Sequence, residues 1–102
     1  MNEGVITWKG PLSPTRSECG QRLKEQGYDA VTEVKDPPGA SYQVHSHGHD
    51  ECICVVEGTM EFKIDQLRYK LEAGDCLYLP AFTLHSARVP TRRAVRYLVG
   101  HK

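Results

Sequence analysis

An all-β domain with one short N-terminal helix is predicted by three features of this sequence. From Tyr28 onward, turn-forming clusters recur at close spacing: Asp36-Pro37-Pro38-Gly39, His47-Gly48-His49-Asp50, Glu57-Gly58-Thr59, Asp65-Gln66, Ala73-Gly74-Asp75, Pro80-Ala81 and Pro90-Thr91-Arg92. The runs between them are short, and several alternate apolar with charged residues, the period of a half-buried strand. Only one stretch carries helix end signals. With no internal repeat or low-complexity segment, one antiparallel double-sheeted barrel is the economical architecture.

Taken in order, the elements justify that reading. The 102 residues suffice for one hydrophobic core, so residues 1–102 are taken as a single domain, with 1–27 forming a strand and helix ahead of the barrel. A short apolar piece at Val5 to Trp8 is followed by Gly10-Pro11-Leu12-Ser13-Pro14, which breaks regular structure. Ser17 to Gln26 is predicted helical, with Ser17 as cap and Gly27 placed to end it. Further on, Met60, Phe62 and Ile64 alternate with Glu61 and Lys63, and Leu67, Tyr69 and Leu71 alternate with Arg68 and Lys70. The two strands read as an antiparallel hairpin across Asp65-Gln66.

Composition excludes little and demands little. Thirteen basic and thirteen acidic side chains cancel, so nothing calls for nucleic acid or a membrane surface. Arg88, Arg92, Arg93, Arg96 and Lys102 gather toward the C-terminus, where a solvated edge strand is a simpler account than an anion site. Arg88 and Arg96 are also candidates to bind a substrate carboxylate bidentately, the minor reading for Arg88 because strand parity places it opposite His85. The N-terminal Met-Asn-Glu-Gly lacks a basic stretch followed by an apolar run, and a cytoplasmic protein is expected. Cys19, Cys52, Cys54 and Cys76 are expected to be reduced and mostly buried. Cys52 and Cys54 share a strand face opposite Glu51 with no His clearly placed to activate them, which ranks a thiol nucleophile below the site that follows; zinc-thiolate binding by the cysteines is a minor alternative.

That site rests on His45, His47, Glu51 and His85. They fall in two glycine-framed segments, Gly39-x5-His45-x-His47-x3-Glu51-x6-Gly58 and Gly74-x5-Pro80-x4-His85. Three imidazoles offer borderline nitrogen donors and the carboxylate a hard oxygen, a set suited to a divalent transition metal. On a strand, His45 and His47 point to the same side. Glu51 would enter the returning strand beyond a turn at Gly48 to Asp50. The glycines and Pro80 are read as turn-formers rather than substrate contacts. Gln43, by parity with His45, and His49 and Phe82 are candidate pocket residues. Tyr78, Tyr97 and Trp8 could line a pocket but are more simply core or interface. His101, near the terminus, is read as incidental.

The two segments resemble the motifs of the cupin superfamily over residues 39 to 89, specifically those of a small single-domain cupin. The first segment matches at Gly39, His45, His47, Glu51 and Gly58; the second, at 74–89, matches at Gly74, Pro80 and His85. It departs from the pattern at Phe82, where the family usually has Gly, and at Val89, where it has Asn. The resemblance implies a jelly-roll β-barrel, commonly a homodimer, with a metal inside one open end.

Four protein ligands would leave two positions on a six-coordinate ion for water, a chelating substrate or dioxygen. Iron, manganese, nickel, zinc, cobalt and copper all tolerate such a set. Of three functions, a dioxygenase-like oxidoreductase acting on a chelating small molecule is favoured; the alternatives are a metal-dependent isomerase, lyase or decarboxylase on a sugar or organic acid, and a non-catalytic small-molecule-binding module.

Overall fold

Alternating apolar residues can bury one face of a strand only against a second layer, and two antiparallel sheets provide it. The computed structural model describes the backbone of residues 4–6 and all of residues 14–102. Trp8 and most of the Gly10-to-Pro14 break lie outside the described residues. The described elements are β1 (Gly4–Ile6), α1 (Arg16–Glu25), β2 (Ala30–Asp36), β3 (Ser41–His45), β4 (Glu51–Glu57), β5 (Thr59–Ile64), β6 (Leu67–Glu72), β7 (Cys76–Leu79), β8 (His85–Arg88) and β9 (Val95–His101). One sheet has the order β1-β7-β4-β9-β2 and the other β3-β8-β5-β6. Every pairing is antiparallel, and the predicted all-β barrel with one short helix is the fold observed.

Ile53, Val55, Met60, Phe62, Ile64, Leu71, Leu77 and Leu79 fill the space between the sheets. The predicted hairpin forms as read: Ile64 pairs with Leu67 across a two-residue turn, where Asp65 takes φ 56°. A second core lies outside the first. There α1 sets Cys19 and Leu23 against Cys52, Cys54, Val56, Cys76 and Leu98 of the five-stranded sheet. β4 is therefore buried on both faces over Glu51 to Val56, which explains its nearly continuous apolar run.

The helix begins one residue earlier than expected, and Ser17 is not its cap. Thr15 is, because its hydroxyl accepts from the Glu18 backbone N–H at 3.1 Å while the Glu18 carboxylate accepts from the Thr15 N–H at 2.8 Å. Gly27, with φ 94°, ends it as predicted, donating its N–H to the Lys24 carbonyl.

The cysteines also differ from expectation. Cys54 and Cys76 stand directly opposite each other on β4 and β7 and form a disulfide, leaving Cys19 and Cys52 as free, buried thiols. Adjacent-strand register brought together two residues separated by 22 positions in the chain.

Glycine at the motif positions serves the backbone. Gly39, Gly58 and Gly74 have φ of 81°, 89° and 96°, in the left-handed region that side chains disfavour. Gly58 is the tightest, since a Cβ there would lie 2.6 Å from the Ala94 carbonyl oxygen.

Candidate metal centre

At one end of the barrel, β3, β4, β8 and β9 bring all five histidines of the chain into one contiguous group. β3 ends at His45, so His47 lies just past the strand rather than on it. The rings still converge, with centroids 4.9 Å apart for His45 and His47, 4.3 Å for His45 and His85, and 5.4 Å for His47 and His85. Their ligand atoms lie within 4.8 Å of one another.

Backbone carbonyls orient two of these rings. His45 Nδ1 lies 2.6 Å from the Gln43 oxygen and His85 Nδ1 2.9 Å from the Thr83 oxygen. A carbonyl can only accept, so Nδ1–H must donate, which leaves each Nε2 lone pair free for an ion. His85 is 4% exposed, and its pKa is lowered mainly by burial, with the neighbouring His45 and His47 adding to the effect against the Thr83 hydrogen bond and Glu51. The neutral, ligating form is thereby favoured. Two further hydrogen bonds lace the motifs together: Phe82 donates its N–H to the His47 carbonyl at 2.7 Å, and Ala81 donates to Asp50 Oδ1 at 2.8 Å.

Glu51 is buried at the edge of the triad rather than within it. Its Oε1 is 3.6 Å from His47 Nε2, while Oε2 is 3.2 Å from both His49 Nε2 and His101 Nε2. His101, read as incidental, pairs in register with Glu51 across β4 and β9. Fifty positions of sequence hid that contact, and no local pattern announces it.

The histidines close one end of a cavity of about 230 Å³. Ile53, Met60, Phe62 and Val99 give it apolar walls, and Tyr42 and Tyr97 polar ones. Tyr42 takes the place expected for Gln43, because β3 and β8 slip register between Tyr42 and His45, and the bulge reverses parity. Gln43 is exposed, and Phe82 is exposed at 75% near Gly48, outside the cavity lining. Phe82, where the resemblance leads one to expect Gly, takes φ 66°, in the left-handed region that glycine accepts most readily.

Asp36, not singled out from sequence, accepts hydrogen bonds from Tyr42 Oη at 2.8 Å and Tyr97 Oη at 2.7 Å. Burial is the main cause raising both phenol pKa values; for Tyr42 it acts against the Tyr97 hydrogen bond, and in both cases hydrogen bonding to Asp36 adds to it, so both remain protonated donors at neutral pH. Arg88 and Arg96 are engaged elsewhere, Arg88 with Glu61 and Arg96 with Glu57 and Glu33.

The fold and these motifs agree with known proteins. The family model described as the cupin domain matches residues 32–101. No curated protein matches the sequence. Among solved structures, the chain resembles the DMSP lyase DddQ from Ruegeria pomeroyi at 27% identity and TM-score 0.66, covering 72% of this chain and 37% of that one. It resembles KdgF from a Halomonas species at 28% identity and TM-score 0.60, covering 71% and 67%. A Cupin 2 conserved barrel domain protein from Salinispora arenicola is 27% identical with TM-score 0.64, covering 70% and 60%. The chain thus spans between 37% and 67% of the length of these three structures. The convergent histidines at the end of a largely apolar cavity inside a jelly roll are a candidate seat for a divalent metal, and the chain belongs to the cupin family.

Proposed function

We propose that His45, His47 and His85, with Glu51 as a fourth donor, hold a divalent transition metal at the cavity end, where a small chelating molecule binds. The observation that carries this reading is the convergence of three imidazoles, two with Nδ1 hydrogen-bonded to backbone, at one end of an open cavity between the sheets. Bound there, the metal would supply Lewis-acid polarisation, or redox chemistry if iron, manganese, nickel or copper. The cavity lies below the roughly 300 Å³ at which ordinary ligand pockets begin, which favours a small acid or sugar fragment.

Of the chemistries left open by the sequence, proton-transfer chemistry of the lyase or isomerase class is favoured over a dioxygenase. Tyr42 and Tyr97, backed by the Asp36 carboxylate, supply a place to hold and move a proton on the cavity wall. The 27% identity to a DMSP lyase points the same way. In this reading Tyr42 exchanges a proton with the bound molecule, and Asp36 orients the hydroxyl. Screening small organic acids and sugars, anaerobically and with Zn(II) as the only metal, tests the choice. Retained turnover supports the lyase or isomerase reading, whereas turnover that requires dioxygen and a redox-active ion supports the oxidoreductase.

A homodimer is proposed as well, because Val44 and Leu84 expose apolar side chains together near the β3 edge. Light scattering on the purified protein reads its mass directly. The proposed setting is the cytoplasm; among the described residues no helix is long and apolar enough to cross a membrane.

A further inference from the structure

We infer that His49, Glu51 and His101 form a second divalent-metal site, adjoining the first and sharing the Glu51 carboxylate with it. Their ligand atoms lie within 4.8 Å of one another. Two imidazole nitrogens and one carboxylate oxygen are a donor set that suits zinc, cobalt, iron or manganese. The carboxylate is already divided between the two groups: Oε1 faces His47 at 3.6 Å, and Oε2 faces His49 and His101 at 3.2 Å each. A carboxylate so placed can offer one oxygen to each of two ions. The shared-carboxylate claim rests on the first metal reading, but the second donor set stands without it.

The ligands come from two paired strands and the bend that leads into one of them. Glu51 and His101 are register partners on β4 and β9, and His49 reaches them from the bend that precedes β4. A ring-to-ring path joins the sets, with His47 and His49 centroids 5.8 Å apart and His49 and His101 4.8 Å apart. The second set is also the more open, with side-chain exposure of 41% at His49 and 33% at His101. A more hydrated site holds its ion more weakly, so the second equivalent binds after the first and exchanges sooner. Oε2 would otherwise simply accept hydrogen bonds from both imidazoles, an arrangement that needs no metal.

Equilibrium dialysis of chelator-stripped protein against Co(II) separates these arrangements, with cobalt counted per chain. Wild type should take up two equivalents, and His101→Ala only one, with its tighter equivalent retained. His85→Ala should lose the tighter equivalent. Circular dichroism melts check folding, and His101→Asn provides a second variant, keeping a polar side chain at the strand end. One equivalent in wild type that neither His101 variant alters would overturn the inference, as would two equivalents that survive both variants. One equivalent lost in the His101 variants but kept in His85→Ala would uphold the His49, Glu51 and His101 site and overturn the first-site reading instead.

Discussion

The two faces of β4 differ in what they bury. On one, Glu51 leads into Ile53 and Val55 and looks into the barrel toward the histidines. On the other, Cys52, Cys54 and Val56 lie under α1, away from the cavity. The two buried groups have different neighbours. The Glu51 carboxylate has imidazoles within reach. The Cys52 thiol is pushed up to about 11, chiefly by burial and against the opposing pull of Arg22 and Lys102. One face is thus equipped for ligation, and the other is packing that keeps its thiol inert.

Substitutions that strike one face and spare the other sharpen this contrast. The largest effect is expected from His85→Ala, which should weaken metal binding by more than about a hundredfold, since even partners of metal ligands are worth 10–100-fold. Cys52→Ala should leave that affinity within about twofold; competition with a chromophoric chelator measures both. A comparable metal loss in the Cys52 variant would break the division between faces.

Backbone strain comes next. Gly58→Ala places a Cβ 2.6 Å from the Ala94 carbonyl oxygen at φ 89°. The left-handed conformation alone costs about 1–2 kcal/mol, and the clash should bring the total to about 3 kcal/mol or more, a fall in Tm exceeding roughly 10 °C. On the helix-side face, replacing Cys54 and Cys76 together by serine should cost about 3 kcal/mol, from the loop that the disulfide closes. Metal stoichiometry should not change. Mass spectrometry after alkylation without reductant tests the pairing itself, since four alkylated thiols would refute it.

Much of this arrangement was legible because it is local. Alternation at Met60 to Ile64 and Leu67 to Leu71 set the hairpin, and glycine framing located the histidines. Other features depended on register. The pairing of Glu51 with His101, the disulfide from Cys54 to Cys76, and the bulge that puts Tyr42 on the cavity wall instead of Gln43 all arise from strands remote in sequence. The true helix cap was a different case: Thr15-Arg16-Ser17-Glu18 spells a capping box that could have been read directly.

Acid should act on the ligating face. Because His85 has a folded pKa below its ordinary 6.5, the unfolded chain binds more protons just under that value. Metal-free protein should therefore lose stability as pH falls below 6.5 toward the lowered value, and His85→Ala should flatten that slope in urea titrations. The smallest effect concerns Phe82, held at φ 66° where glycine is at ease. Phe82→Gly relieves that strain but frees the unfolded chain, a net stabilisation of at most about 1 kcal/mol. Thermal melts of the two proteins measure it, and a lower Tm for Phe82→Gly would contradict it.

The central claim is that His45, His47 and His85 hold a metal at the end of the cavity. Elemental analysis of untagged protein, purified without added metal or chelator alongside His85→Ala, tests it most directly. At least near-stoichiometric divalent transition metal is expected in the wild type, with a large loss from that cavity-end site in the variant. Full retention in His85→Ala, or a wild type that takes up no metal even on reconstitution, would contradict it.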